Sequence, residues 1–243
     1  MFNSKKKSEQ KTKALFYNES CQFLMDGFLN FLSLKPIKIE NILDIGAHKG
    51  VWSANSKNYF PNAKCILFDP LKEMGPFLKQ HCLKYPSDQY FSVGLGSVKE
   101  SKEITKYLDL EGSSFLAKDV PAAYSQGTEI LEITTINRLI EEGKIVVPDL
   151  VKIDVQGLEL EVLKGADKIL GKTDVFIIEC NFFEFDLHPG MPEIFEVIKF
   201  MHDHNYVLFD FAGFLRRATG SDLGQCDAVF VKRDSVLRKS KKW

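Results

Sequence analysis

Residues 41–70, NILDIGAHKGVWSANSKNYFPNAKCILFDP, contain two short apolar runs with a helix-like segment between them. The first run leads into Gly46 and the second ends at Asp69 and Pro70. Near-continuous apolar strands that alternate with helices are typical of a parallel sheet covered on both faces. This stretch therefore predicts a strand–helix–strand unit of an α/β domain.

The same alternation extends over residues 41–232, which we predict to form one domain. Five more apolar runs follow, at 89–96, 149–157, 173–181, 206–213 and 226–232, with helix-like segments at 71–84, 159–170 and 191–204. No helix-length segment separates the last two runs, so we expect them to pair antiparallel. Residues 97–148 interrupt the pattern with two strand-like stretches around a polar turn, which predicts a hairpin-like excursion. Apolar residues at helical spacing within 14–40 predict a helical cover on the sheet.

The net charge of −1 conceals two basic ends. Residues 1–13 hold five Lys against one Glu, and residues 232–243 hold six Lys or Arg against one Asp, so the intervening chain carries −10. An acidic body disfavours ordinary nucleic-acid binding, which needs a basic face. The basic tails, 1–13 and 233–243, are expected either to be solvated or to make weak contact with an anionic surface.

Three further patterns concern the cellular location. No stretch of the chain approaches the ~20 apolar residues of a membrane span. The basic N-terminus is not followed by the apolar segment of a signal peptide. The five cysteines are odd in number and form no CxxC pair, which indicates free thiols and not a disulfide framework or a zinc site. We therefore expect a cytoplasmic protein.

The residues that follow the first two strands predict a cofactor. Ligands of parallel sheets bind beyond the carboxyl ends of the strands. Gly46 and Gly50 allow the backbone to turn close beneath a ligand, and Asp69 can accept hydrogen bonds from both hydroxyls of a ribose. This combination predicts an adenosine-type cofactor and leaves NAD and S-adenosylmethionine open. Asp44 favours S-adenosylmethionine, because a carboxylate suits its ammonium group and would repel a pyrophosphate.

The order of motifs adds a resemblance. DIGAHKG, FDP, VGLGS, GSSF, TTIN, VKIDVQGLELEVLKGA and FIIEC resemble the FkbM family of S-adenosylmethionine-dependent methyltransferases over about residues 40–232. The resemblance implies the class I (Rossmann-like) methyltransferase fold, an α/β fold with a seven-stranded, mostly parallel sheet, an antiparallel last strand and helices on both faces. Two residues depart from the family pattern, because Gln156 replaces a Glu and Asn137 replaces an Asp.

The resemblance also implies site residues. The predicted cofactor contacts are Asp44, Gly46, Ala47, His48 and Gly50 around the methionine portion, Asp69 and Pro70 at the ribose, Gly94 and Leu95 at the adenine, and Asp154 at the sulfonium. Ser113 and Ser114 match the GSSF motif and are expected to contact substrate or cofactor. His188 follows the fifth strand, where an acceptor pocket would open.

Methyl transfer to a hydroxyl requires a base or a metal ion to take or weaken its proton. Asp154, Glu159 and Glu179 are the predicted catalytic acids, although Glu159 in the first turn of a helix also stabilises that helix. Two mechanisms stay open. Asp154 acts as a metal-free base, or Asp154, Glu179 and Asn181 share a Mg²⁺ ion, since neighbouring strand ends lie about 5 Å apart.

The function implied by the resemblance is O-methylation of a saccharide, a glycolipid precursor or a similar small molecule. The expected partner is therefore a small-molecule or glycan acceptor and not a nucleic acid. One alternative is a non-catalytic cofactor-binding scaffold, favoured only by Gln156 and Asn137. The other is a nucleotide-linked oxidoreductase, which would need the GxGxxG and Tyr-x-x-x-Lys motifs that this sequence lacks.

Overall fold

The structure, a computed structural model, describes residues 24–217 and 220–240. The predicted basic tail of residues 1–13 and the first part of the predicted helical cover, residues 14–23, lie outside the described residues. The last three residues of the predicted C-terminal tail, 241–243, do so as well.

Ten strands form two sheets in the described residues. They are β1 (Asn41–Ile45), β2 (Lys64–Phe68), β3 (Gln89–Phe91), β4 (Gly94–Leu95), β5 (Glu100–Tyr107), β6 (Ser125–Thr134), β7 (Leu150–Ile153), β8 (Val175–Asn181), β9 (Tyr206–Arg216) and β10 (Leu223–Lys232). The main sheet has seven strands in the order β3-β2-β1-β7-β8-β10-β9. Only β10 runs antiparallel to its neighbours, β8 and β9. The predicted fold class, a seven-stranded and mostly parallel sheet with an antiparallel last strand, is confirmed.

Six α-helices accompany the sheets in the described residues. They are α1 (24–33), α2 (Val51–Ser56), α3 (Gly75–Lys84), α4 (Ile136–Glu141), α5 (Glu159–Lys164) and α6 (Ile194–Asp203). Helix α1 buries Met25, Phe28, Leu29 and Leu32, whose spacing places them on one stripe of the helix. This stripe packs in the same apolar cluster as Ile177 of the main sheet, so α1 covers one of the two sheet faces.

The segment 89–96 differs from the single strand that its apolar run predicts. Its first part, β3, pairs with β2 in the main sheet, whereas β4 pairs with β6 in a separate three-stranded sheet, β4-β6-β5. Gly94 allows this departure, because a Cβ on it would lie only 3.3 Å from Cγ1 of Ile133 on β6. The predicted excursion at 97–148 contains the antiparallel pair β5 and β6 of this second sheet.

Helix α4 is an element that the sequence pattern did not predict, because its apolar residues continue the run of β6. Thr135 separates the two elements. Its backbone is extended, and its side-chain oxygen accepts a hydrogen bond from Arg138 N at 3.0 Å. This contact is an N-cap, which satisfies a backbone donor of the first helical turn.

The order and direction of the strands determine where the candidate site lies. The parallel strands β1, β2 and β7 end at the same edge of the main sheet, beside the small sheet. The loop after β1 is tied to this edge, because the backbone N–H groups of Gly46 and Ala47 both donate to the carbonyl of Phe68 at 2.9 Å. Across residues 24–217 and 220–240, no helix has the length and apolar character needed to cross a membrane.

Candidate active site

A cavity of about 320 Å³ opens at the carboxyl ends of β1, β2 and β7. The structure brings together in its wall the predicted site residues Gly46, His48, Asp69, Pro70, Gly94, Leu95, Ser113 and Asp154. Several apolar side chains that the sequence analysis did not single out complete the wall, among them Phe68, Phe115 and Leu158. The cavity therefore combines an apolar slot with a few polar groups, as small-molecule sites usually do.

Gly46 brings two loops of the cavity into contact. Its φ is +81°, in the left-handed region, and an added Cβ would lie 1.7 Å from the carbonyl oxygen of Asp154. Only glycine fits this position, because any side chain would collide with the backbone after β7. The close approach places the loop after β1 directly beside Asp154.

Asp69 holds the loop after β1 in place. Its Oδ2 accepts a hydrogen bond from His48 N at 2.8 Å, and its Oδ1 accepts one from Leu71 N at 3.0 Å. Each carboxylate oxygen has a second lone pair that remains available for a ligand hydroxyl. Burial raises the pKa of Asp69 to about 6, so the carboxyl is mostly ionised at neutral pH.

Four polar side chains form a network at the inner end of the cavity. Lys152 Nζ lies 2.7 Å from Asp154 Oδ2, and Gln156 Nε2 donates to both Asp154 Oδ1 at 2.9 Å and Glu179 Oε2 at 3.0 Å. Gln156 thereby bridges the carboxyl groups of Asp154 and Glu179. The network therefore joins the ends of β7 and β8 through carboxyl groups.

The pKa values of the two acids in this network are shifted in opposite directions. Burial raises the pKa of Glu179 well above its ordinary value, and the charge of Asp154 raises it further. Burial also opposes ionisation of Asp154, but the Lys152 ammonium and the hydrogen bonds from Lys152 and Gln156 outweigh it and hold its pKa below the ordinary value. A protonated Glu179 can thus donate to an ionised Asp154, and the pair carries one negative charge.

The predicted Mg²⁺ site at Asp154, Glu179 and Asn181 is not supported. Both oxygens of Asp154 accept hydrogen bonds, one of them from the Lys152 ammonium, which supplies the positive charge that a metal ion would bring. Asn181 is fully buried, and neither polar atom of its side chain has a hydrogen-bond partner among the described residues. Among the residues that the structure describes, no group of three or more His, Cys, Asp or Glu side chains is arranged to hold a metal ion.

Glu159 lies outside the cavity wall. Its Oε1 accepts hydrogen bonds from Val155 N at 3.2 Å and Gly157 N at 3.1 Å, so it holds the turn between β7 and α5. Its side chain is only 1% exposed, and this burial raises its pKa to about 7. These contacts describe a structural role, and the catalytic role of Glu159 stays a prediction.

Other predicted site residues lie behind the cavity wall. Asp44 is buried and accepts a hydrogen bond from Ser53 Oγ at 2.6 Å, while Ala47 and Gly50 pack within the loop after β1. Ser114 Oγ donates to the carbonyl of Gln156 at 2.6 Å and so joins the GSSF turn to the end of β7. The ring of His188 stacks on Tyr107 with 5.9 Å between ring centroids. Ligand contacts by these residues stay predictions.

Two charged residues of this region escaped the sequence analysis. Lys152 lies within the fully buried strand β7, and Asp227 lies on β10 directly opposite Glu179. Burial raises the pKa of Asp227, whereas Lys152 stabilises its ionised form. Charged side chains are rarely buried without a partner, so a Lys or Asp inside an otherwise apolar strand is the signal that would have found them.

The two departures from the family pattern have different surroundings. Gln156 lines the cavity and bridges the two acids, as described above. Asn137 lies at the start of α4, where its Oδ1 accepts a hydrogen bond from Lys168 N at 2.8 Å. An Asp oxygen would accept the same bond, so Asn137 preserves this contact.

The comparison with protein families agrees with this geometry. The family model described as "Methyltransferase FkbM domain" matches residues 44–208, which include the end of β1, all of β2, β7 and β8, and the whole cavity wall. The chain belongs to the FkbM methyltransferase family. Membership supports methyl transfer from S-adenosylmethionine in general terms and confirms the resemblance on which the sequence analysis relied.

Two curated proteins match this chain. The hexuronic acid methyltransferase AglP of Haloferax volcanii is 32% identical over 74 residues, 30% of this chain and 31% of AglP. The AMB antimetabolite synthetase AmbE of Pseudomonas aeruginosa is 27% identical over 175 residues, 58% of this chain and 8% of AmbE. The matches thus span a third or less of either relative.

The chain also matches solved structures. One is the N-methyltransferase NodS of Bradyrhizobium japonicum WM9, at 10% identity and a TM-score of 0.49, over 85% of this chain and 93% of that one.

Proposed function

We propose that this protein transfers the methyl group of S-adenosylmethionine to a hydroxyl oxygen of a saccharide or a related small molecule. The observation that carries the proposal is a single cavity whose wall includes Asp69 and the paired acid Asp154. The Asp69 carboxylate can accept hydrogen bonds from a ribose, and the Asp154 carboxylate can accept the proton of a reacting hydroxyl. The similarity to AglP, a hexuronic acid methyltransferase, supports a sugar acceptor.

The residues of the cavity would orient the cofactor. Asp69, Gly94 and Leu95 line the cavity, where Asp69 would accept hydrogen bonds from the ribose hydroxyls and Gly94 with Leu95 would lie beside the adenine. The loop at Gly46, which lies directly beside Asp154, would hold the methionine portion. Bound S-adenosylmethionine supplies a methyl group activated by positively charged sulfur.

The Asp154–Glu179 pair would accept the proton of the acceptor. In a direct displacement, the acceptor oxygen bonds to the methyl carbon while the electrons of the carbon–sulfur bond return to sulfur. The hydroxyl proton then moves to the pair, whose single negative charge can accept it. Lys152 and Gln156 hold the two carboxyl groups in position, and the fixed alignment supplies much of the rate.

The first test is calorimetric titration with S-adenosylhomocysteine. We expect micromolar binding by the wild type. Asp69→Ala should weaken it by about 10- to 100-fold, because hydrogen bonds to a charged group contribute about 1.5–3 kcal/mol. Asp210→Ala is the matched control, since Asp210 is an exposed acid on β9. Absence of binding by a folded wild type would exclude the proposed cofactor.

The second test measures methyl transfer from labelled S-adenosylmethionine to a panel of methyl glycosides, with and without EDTA. Transfer that persists in EDTA and is lost in Asp154→Asn would support the metal-free mechanism. Binding of S-adenosylhomocysteine with no transfer to any hydroxyl would instead favour a cofactor-binding scaffold.

A further inference from the structure

A second cavity, of about 100 Å³, lies at the carboxyl end of β8. It is several times larger than the ~10–15 Å³ that one water molecule requires. Its wall is formed by β8, β9 and β10 and consists of Glu179, Gly213, Phe214, Leu215, Gln225, Cys226 and Asp227. We call it the β10 cavity.

Glu179 connects the wall of the β10 cavity to the wall of the cofactor cavity. It lines the β10 cavity, and its Oε2 accepts a hydrogen bond from Gln156, which lines the cofactor cavity. A molecule in the β10 cavity would therefore contact Glu179, the member of the Asp154–Glu179 pair that does not line the cofactor cavity. A methyl acceptor bound beside Glu179 would have its hydroxyl group close to the pair that is proposed to accept the proton.

The carboxyl group of Asp227 lies against Gly213 of the neighbouring strand. It is the register partner of Glu179 on β8 and of Gly213 on β9, so the two carboxyl groups stand side by side. A Cβ on Gly213 would lie 2.3 Å from Asp227 Oδ2. Gly213 thus leaves the space that the Asp227 carboxyl occupies. Within the described part of the chain, no group donates a hydrogen bond to this carboxyl, so its lone pairs are unused.

The side-chain amide of Asn181 lies near the same cavity. Asn181 is two residues beyond Glu179 on the same side of β8, and its register partner Gln225 lines the β10 cavity. Asn181 is fully buried, and its amide has no hydrogen-bond partner in the described structure. Buried polar groups are normally satisfied, so an unpaired amide indicates an absent polar ligand or water.

We infer that the β10 cavity binds the methyl acceptor and recognises neighbouring hydroxyl groups of a neutral polyol through Asp227 and Glu179. This inference rests on the proposed function and deepens it. Carboxyl oxygens accept hydrogen bonds from hydroxyl groups, and no cationic side chain is among the described residues of the wall. An anionic acceptor would meet like charge, which is costly. A protonated amine fits the charge but has no free lone pair to receive a methyl group.

The experiment is saturation-transfer NMR with S-adenosylhomocysteine bound. The probes are methyl glucoside, which is neutral, and methyl glucuronoside, which carries a carboxylate. We expect saturation of the glucoside at least fivefold above that of the glucuronoside. Asp227→Asn and Gly213→Ala should each reduce the glucoside signal at least fivefold, while the Kd of S-adenosylhomocysteine stays within twofold of the wild type.

Two control variants match these changes. Asp210→Asn removes an exposed acid from β9, and Gly75→Ala adds a methyl group where no atom lies within 4 Å. Both should leave the glucoside signal unchanged. If S-adenosylhomocysteine binds but the glucoside gives no signal, or the signal survives in both cavity variants, the inference is wrong and the proposed function stands. If S-adenosylhomocysteine does not bind at all, the proposed function itself fails.

Discussion

Replacing Gly46 by Ala tests whether the loop after β1 must contact the end of β7. The added Cβ would lie 1.7 Å from the carbonyl oxygen of Asp154, whereas real Cβ atoms essentially never approach within 3.0 Å. The contact must therefore lengthen by 1.3 Å, and the obstructing atom is backbone and not a flexible side chain. The left-handed φ of +81° adds about 1–2 kcal/mol of strain for any residue with a Cβ.

These magnitudes predict a large effect on function. A displacement of about 1 Å near the reacting groups can lower a rate about 10²-fold. We expect Gly46→Ala to weaken S-adenosylhomocysteine binding at least tenfold and to lower kcat/KM about 100-fold. The free energy of unfolding should fall by more than the ~1–2 kcal/mol of backbone strain alone.

Gly143→Ala is the control that distinguishes backbone strain at a positive φ from the steric clash expected at Gly46. Gly143 also has a left-handed φ, of +66°, but a Cβ added to it would meet no atom within 4 Å, and it is not part of the cavity wall. This variant should lose only ~1–2 kcal/mol of stability and bind S-adenosylhomocysteine normally. Titration calorimetry and urea unfolding measure both quantities. A folded Gly46→Ala protein that binds as tightly as Gly143→Ala would refute the reasoning.

Three further predictions concern titratable groups. Because burial raises the pKa of Asp69 to about 6, S-adenosylhomocysteine affinity should fall as the pH drops below about 6, and calorimetry of Asp69→Asn should show no such change. Burial raises the pKa of Glu159 from 4.5 to about 7, so its stabilising contribution is present below pH 4.5 and lost as the pH rises through 7. Urea unfolding at pH 8 should therefore find Glu159→Gln more stable than wild type by up to ~3 kcal/mol, with the difference vanishing near pH 4.5. Asp88 is buried between Lys57 at 2.6 Å and His81 at 3.0 Å, so thermal unfolding of Asp88→Asn should show a loss of about 3–5 kcal/mol, with cofactor affinity unchanged.

Much of the fold could be predicted from local patterns. Alternating apolar runs and helix-like segments predicted every strand of the main sheet, because a strand covered on both faces is apolar at most of its positions. The boundary errors have local causes as well. The run at 89–96 continues through Gly94 into a different sheet, and the apolar residues of α4 continue those of β6. Hydropathy reports burial but not which neighbour a residue is buried against.

Part of the site could also be predicted from the sequence. Gly46 and Asp69 follow strands of a parallel sheet, and strands of this kind end at one edge, so their positions predict a shared cavity. The sequence did not distinguish Asp69, which lines that cavity, from Asp44, whose side chain is turned beneath the loop toward Ser53. Each is an acid near the carboxyl end of an apolar run, and only the direction of its side chain in the folded protein decides whether it lines the cavity.

Local periodicity and short motifs were enough to establish the fold class, the family and the edge of the sheet at which ligands bind, because none of these depends on contacts between distant segments. The chemistry of the inner site does depend on such contacts. Lys152, Glu179 and Asp227 lie on three strands that are far apart in the chain and meet only through the order β7-β8-β10. Their protonation depends on burial and on each other's charge, and both arise only when those strands are paired.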